Sequence, residues 1–206
     1  MKTPKISEAV IRRLPVYLRY LHHLRDMNVT TVSSHELGQH LDMNPAQIRK
    51  DLAYFGEFGR KGIGYDVQYL IEKIKQILKL DRRLNVALVG AGNLGTALSN
   101  YNRYTNEKLK IVAIFDASQH KVGTKVGSLE VLPIEMLPKT VKELDIKMGI
   151  ITVPATEAQK VADQMVQAGI KGILNFAPVI LRVPLDVPIR NADVTTELES
   201  LAYYVD

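Results

Sequence analysis

Six residues of this chain combine types and spacing suited to holding a pyrophosphate. Gly90-Ala91-Gly92-Asn93-Leu94-Gly95 sits behind the apolar run "VALV" and ahead of the helix-forming Thr96-Ala97-Leu98. In a strand–turn–helix unit the first glycine of such a sextet allows a tight turn and the second lets the phosphates approach the backbone. The third lets helix and strand pack closely. The helix then offers its unpaired N–H groups to the anion. The spacing by itself is a weak signal that needs the right surroundings. A second apolar run, "KIVAIFD", supplies them by ending on Asp116, 21 residues beyond Gly95. A carboxylate there accepts from a ribose 2′-hydroxyl and repels a 2′-phosphate, which favours NAD(H) over NADP, although Lys121 and Lys125 soften that exclusion.

The elements that must position this turn continue downstream. "MGIITVP" reads as a strand, and 156–168 as a helix with Val161, Met165 and Val166 on its apolar side. "KGILNFAP" is another strand, "VPIRN" a last one, and 193–204 a final helix. This alternation predicts a Rossmann-type, doubly wound parallel sheet. Its strand ends bring Gly90, Ala91, Gly92, Asn93, Leu94, Gly95, Thr96 and Asp116 to one crevice with Val153, Pro154, Asn175, Phe176, Ala177 and Pro178. These are the candidate cofactor residues. Reduction removes the positive charge of a nicotinamide, so a pocket lined by Val153, Pro154, Phe176 and Pro178 favours NADH by not burying an unpaired cation.

Catalytic groups are scarce around that crevice. The chain has no cysteine, and its five histidines, His22, His23, His35, His40 and His120, form no ligand cluster, so no metal is expected. Only His120 follows the glycine turn, and it lies beside Asp116 on the adenosine side. From Pro154 onward 53 residues remain, enough to finish the sheet and add one helix but not a substrate domain. The expectation is a binding protein rather than an enzyme. No stretch reads as a signal peptide or a membrane span, which points to the cytoplasm.

The charge of the chain is unevenly divided. Residues 1–83 hold 15 Lys+Arg against 9 Asp+Glu, a net +6, while 84–206 carry −1 of the total +5. A basic module ahead of a near-neutral one suggests a polyanionic partner for the first. Its pattern is that of a winged helix-turn-helix of α+β class. Val10, Leu14, Leu18, Leu21 and Leu24 recur at helical spacing from Ser7 to Asp26, with Pro15 marking either a kink or a break between two helices. Ser33 and Glu36 form a capping box for a short helix running to Leu41.

After a tight turn, Asn44-Pro45 starts "PAQIRKDLAYF", which Gly56 ends. Ile48, Leu52 and Phe55 should face Leu37 and Leu41, leaving Gln47, Arg49, Lys50 and Tyr54 to project as in a recognition helix in the major groove. "GEFGRKGIGY" reads as a wing with Arg60 and Lys61 near its tip, and 67–80 as an amphipathic helix that closes the core. The candidate DNA-binding residues are Arg13, Ser33, Ser34, Gln47, Arg49, Lys50, Tyr54, Arg60 and Lys61. The expected domains are 1–80, 84–192 and a C-terminal helix, 193–206.

In this order the two parts resemble the Rex family of redox-sensing transcriptional repressors. The resemblance spans essentially the whole chain and is most specific in "IRKDLAYFG", "RKGIGY", "LVGAGNLGTAL", "ITVPA" with "AQKVAD", and "AGIKGILNFAPV". It implies a homodimer that binds a palindromic operator in the apo or NAD+ state and is released by NADH. It also implies that Arg19, Tyr101 and Asp193 relay nucleotide state to the DNA-binding domains, and that the last helix is exchanged between subunits. Where some members carry a large aromatic beside the aspartate, this chain has Val194. Two other readings are compatible with the residues alone: an NAD-dependent oxidoreductase with an N-terminal dimerisation domain, and a CoA- or nucleotide-gated subunit that contacts protein. The second leaves Arg49, Lys50, Arg60 and Lys61 without a role.

Overall fold

Pro15 does not divide the first helix. In the computed structural model, which describes residues 6–54, 56, 59–60, 64–105 and 108–205 (59–60 and 101–105 by backbone only), α1 runs unbroken over Glu8–Asp26. Its first turn is capped by Ser7, whose hydroxyl accepts from the Val10 N–H. The buried face contains the five expected aliphatics and also Tyr17. The chain divides into two compact units, Met1–Arg82 and Arg83–Asp206.

In the first unit β1 (Thr31–Val32) leads to α2 (Ser34–Leu41) and α3 (Pro45–Ala53). The Ser33–Glu36 capping box forms in both directions, and Asp42 closes α2 in the left-handed region, φ 51°. Asn44 caps α3 by accepting from the Ala46 N–H, with Pro45 in its first turn. This helix ends at Ala53, earlier than the sequence pattern suggests, and Tyr54 takes the C-cap; Phe55 is outside the described residues.

The expected wing is an antiparallel hairpin of β2 (Gly59–Arg60) and β3 (Gly64–Asp66), with Arg60 opposite Gly64. The unexpected β1 pairs with the other edge of β3, giving the order β1-β3-β2. Next, α4 (Val67–Ile77) starts on Asp66, which accepts from the Tyr69 N–H. It stops short of Leu80, because Lys79 turns to φ 57° and the Leu80 N–H reaches back to the Lys75 carbonyl. Leu14, Leu21, Leu37, Ile48, Leu52, Leu70, Ile71 and Ile74 make the core.

The second unit begins with β4 (Leu84–Val89), α5 (Asn93–Thr105) and β5 (Leu109–Asp116), followed by β6 (Lys125–Val126) and β7 (Leu129–Pro133). A 3-10 turn at Ile134–Met136 leads into α6 (Leu137–Glu143), β8 (Ile146–Ile151), α7 (Ala155–Gln167), β9 (Gly172–Asn175), β10 (Ile189–Asn191) and α8 (Val194–Ala202). Strand order is β10-β9-β8-β4-β5-β7-β6, parallel throughout except for the β6–β7 pair. The segment 125–143, which has no element in the sequence reading, thus extends the sheet and adds a helix.

Alternation sends Ala87 and Val89 to one core with Phe115, Ile151 and Met165. Leu88 goes to the opposite face with Ile114, Val126 and Val131. From β4 the chain first builds outward through β5 and β7, then returns to the other flank at β8. This places the topological switch point between β4 and β8.

No residue of α8 is buried. Val194, Leu198 and Leu201 are 67%, 61% and 56% exposed, so the apolar side of this helix lacks a cover within its own chain among the described residues.

Candidate functional site

At the switch point the glycine turn has the geometry its spacing implies. Gly90 sits at φ 111°, and a side chain there would meet the Thr152 carbonyl oxygen at 2.7 Å. A Cβ on Gly95 would fall 2.0 Å from the Gly90 carbonyl oxygen, so only glycine lets α5 pass this close to the end of β4. A Cβ on Gly92 meets nothing within 4 Å, which leaves that backbone open to an approaching group. Thr152, which the sequence reading passed over, fastens the turn: its hydroxyl donates towards the Gly90 and Val89 carbonyls at 2.8 and 3.1 Å.

Asp116 ends β5 next to this turn. One carboxylate oxygen accepts from the Ala91 N–H at 2.8 Å and from Lys121 Nζ at 3.1 Å; the other accepts from the Ser118 N–H at 2.8 Å. Burial alone would raise its pKa. The Ser118 and Ala91 N–H groups and Lys121 outweigh that, hold it below the usual carboxylate range and keep it ionised at neutral pH. An ionised carboxylate has roughly four acceptor sites, which leaves capacity for a ribose hydroxyl.

Asn93 and Thr96 belong to the first turn of α5, and Leu94 beside them is 45% exposed. Across the crevice, Val153 is partly buried against the core and Pro154 precedes α7, whose N-terminus has no side-chain cap. The Glu157 N–H returns to the Pro154 carbonyl at 3.0 Å, which leaves the Ala155 and Thr156 N–H groups ahead of it to meet an anion. Asn175 is turned to scaffolding: its amide nitrogen donates to the Ala177 and Val179 carbonyls and to Asn191 Oδ1, and its oxygen accepts from the Ala177 N–H. It shapes the bend that carries half-buried Phe176, buried Ala177 and exposed Pro178.

In the first unit the candidate residues gather on α2, α3 and the hairpin. Arg49 Nη1 donates to Ser34 Oγ at 2.9 Å, joining α2 and α3 at the surface, and Lys50 is exposed beside it. Tyr54 is 39% exposed at the end of α3. Ser33 serves as the cap of α2. Arg60 lies on β2, and Lys61 falls outside the described residues.

Arg13 and Gln47 meet at a group that the sequence reading missed. Asp51 is fully buried on the inner side of α3. Its Oδ2 accepts from Arg13 Nε and from Tyr17 Oη, the latter at 2.7 Å. Its Oδ1 accepts from Arg13 Nη2 at 2.8 Å and Gln47 Nε2 at 2.7 Å. Burial would raise this carboxyl's pKa, but the bonds from Arg13, Tyr17 and Gln47 outweigh it and hold it low. The same contact raises the Arg13 pKa, and burial followed by the bond to Asp51 raises that of Tyr17, so both stay protonated.

A carboxylate whose folded pKa is depressed stabilises the fold above its unfolded pKa, roughly 3.9, and that contribution disappears as pH falls through the folded value. Urea midpoints followed by far-UV circular dichroism should therefore hold between pH 7 and 5 and drop below about pH 4. A flat profile down to pH 3 would contradict the pairing.

Arg19, Tyr101 and Asp193 are spread over both units. Arg19 is exposed on α1, and Tyr101 lies on α5 with its side chain outside the description. Asp193 caps α8, accepting from the Thr195 and Thr196 N–H groups at 2.9 and 3.4 Å and from the Thr196 hydroxyl at 3.0 Å. That hydroxyl bond, together with the N–H bonds from Thr195 and Thr196, outweighs the opposing effect of desolvation and depresses its pKa.

Known proteins match both units. A family model described as "CoA binding domain" covers residues 81–179, and one described as "Putative DNA-binding protein N-terminus" covers 5–53. Over 204 residues the chain is 60% identical to a protein of Brevibacillus brevis named redox-sensing transcriptional repressor Rex, covering 99% of each. It is 48% identical to a protein of the same name from Carboxydothermus hydrogenoformans, covering 100% of this chain and 99% of that one.

Among solved structures, RSP in complex with β-NAD+ and operator DNA superposes with a TM-score of 0.91 at 39% identity, over 98% of this chain and 93% of that one. RSP in complex with β-NADH gives 0.88 at 38% identity, over 97% and 94%. A glycine turn open at Gly92, an ionised Asp116 and a basic winged helix thus occur together with high identity along the full length. This chain belongs to the Rex family of redox-sensing transcriptional repressors.

Proposed function

We propose that this chain represses transcription as a cytoplasmic homodimer whose hold on an inverted-repeat operator is set by the NADH/NAD+ ratio. The observation that carries this reading is the division of labour within one chain. An open phosphate-binding turn beside an ionised Asp116 lies in a unit without net positive charge, and a winged helix holds the entire basic excess. The N-termini of α5 and α7 receive the pyrophosphate. Asp116 takes the adenosine ribose and disfavours phosphorylated riboses, which sets NAD(H) ahead of NADP and CoA.

The nicotinamide end meets Val153, Phe176 and Pro178, an apolar lining that favours the uncharged reduced ring. The nucleotide acts here as an effector, and no step of the mechanism needs bond chemistry or a metal. Preference for NADH regulates only if NADH binds the DNA-incompetent dimer more tightly than the competent one, and a tenfold change in operator affinity requires about 1.4 kcal/mol of coupling.

The DNA surface comprises Ser34, Gln47, Arg49, Lys50 and Tyr54 with the Arg60–Lys61 wing. Lys50→Ala and Arg60→Ala should each weaken operator binding about 5- to 20-fold and flatten its salt dependence, leaving NADH affinity unchanged in calorimetry. Equal operator affinity in both variants would remove this surface from the reading.

Asp193 pairs with Arg19 in the DNA-competent state and turns towards Tyr101 when NADH closes the dimer. Because Asp193 also caps α8, the informative substitution is Asp193→Asn, which retains capping but not charge. We expect its operator binding to lose most of its sensitivity to NADH; an unaltered response takes Asp193 out of the relay.

A further inference from the structure

Asp51 lies on the inner side of the recognition helix and is fully buried, yet it controls a side chain on the outer side. An ionised carboxylate only accepts hydrogen bonds, so the amide of Gln47, one helical turn earlier, must turn its nitrogen inward to meet it. That commits one of the two Nε2 protons. What exposed Gln47 retains is an acceptor, Oε1, and a single N–H donor next to it. Arg13 and Tyr17, both from α1, occupy the remaining acceptor sites of Asp51, which therefore cannot rotate away. Four donors meet four lone-pair sites, and the carboxylate is locked.

We propose that Asp51 is a positioning residue for base reading: it fixes the Gln47 amide so that α3 presents one acceptor and one donor side by side, a pattern that selects adenine in the major groove. Adenine offers N6–H as donor and N7 as acceptor, whereas guanine offers two acceptors, O6 and N7, and needs two donors. A Gln47 free to rotate reads neither edge strictly. With one proton bound to Asp51, it cannot serve guanine's paired acceptors. This inference rests on the DNA-binding reading above and extends it to one residue pair.

The test uses the full-length protein and a library of inverted-repeat duplexes randomised in each half-site. Wild type, Gln47→Met and Asp51→Asn are taken through selection, followed by anisotropy titrations on the recovered duplex and its single-base variants. Wild type should select adenine at one position per half-site, with A→G there costing about 5- to 150-fold in affinity. In both variants that preference should fall below about 3-fold, with preferences at the other positions kept. Retention of the full A/G preference in either folded variant, or a uniform loss at every position, overturns the proposal.

Gln47 is exposed, so Gln47→Met keeps the test open if Asp51→Asn does not fold. A readout free of DNA comes from NMR of the unbound protein. One Gln47 side-chain proton should be shifted downfield of its position in free glutamine and protected from water exchange; both protons at free-glutamine shifts and exchange rates would contradict the clamp. Failure of the wild type to bind any duplex would count against the DNA-binding reading itself, while the NMR signature would still report on Asp51.

Discussion

Gly92→Ala should leave the protein folded and strip it of its response to NADH, whereas Gly95→Ala should damage the fold itself. The two glycines stand three residues apart in one turn, and their surroundings are opposite. A methyl on Gly95 lands 2.0 Å from the Gly90 carbonyl oxygen and 3.0 Å from Leu88, so α5 must move off β4. Overpacking of this kind costs about 1–3 kcal/mol or more. A methyl on Gly92 meets no protein atom within 4 Å, so the apo fold tolerates it, but it occupies the space through which phosphates reach the backbone. Loss of even one hydrogen bond to a charged phosphate removes about 1.5–3 kcal/mol, roughly 10- to 100-fold in affinity. The measurements are an NADH titration by calorimetry and thermal melts of both variants. Gly92→Ala binding NADH like wild type would contradict the placement of the pyrophosphate.

A second large effect is expected from the C-terminal helix. Leu198→Asp combined with Leu201→Asp should yield monomers and reduce operator affinity by about 100-fold or more. Both side chains are more than half exposed in the isolated chain, so the charges add little strain to the protomer and act on whatever covers the helix. In a dimer exchanged through this helix, that cover is the second subunit. Two linked reading units gain 10²- to 10⁴-fold over one through effective concentration, and separate monomers forfeit it. Sedimentation velocity and operator anisotropy on the same preparation decide the matter. A dimer with full operator affinity would contradict the assignment of this face.

The crevice was legible in the sequence because its signals are local. Gly90, Gly92 and Gly95 have spacing dictated by backbone geometry, and Asp116 terminates a run of β-branched and aromatic residues that reads as a strand in any context. The caps Ser33 and Asn44 were legible for the same reason.

What escaped depends on distant partners. The β7 strand is five residues long and includes Glu130, so periodicity cannot separate it from a loop; its pairing with β5 stabilises it. Tyr17 reads as an interruption of an aliphatic stripe until Asp51, 34 residues away, accepts its hydroxyl hydrogen. Asp51 itself sits between Ile48 and Leu52 at a position a periodic reading leaves polar and exposed, and the hydrogen bonds from Arg13, Tyr17 and Gln47 make its burial tolerable. The exposure of Leu198 and Leu201 has no signature in the chain, since the surface that covers them would belong to another copy.

The most direct measurement follows the full-length protein on a fluorescent inverted-repeat operator at fixed salt while NADH or NAD+ is titrated in. NADH should lower operator affinity at least tenfold, which corresponds to about 1.4 kcal/mol of coupling, and NAD+ should leave the complex in place. Equal operator affinity in the presence of either nucleotide would contradict a redox-gated repressor.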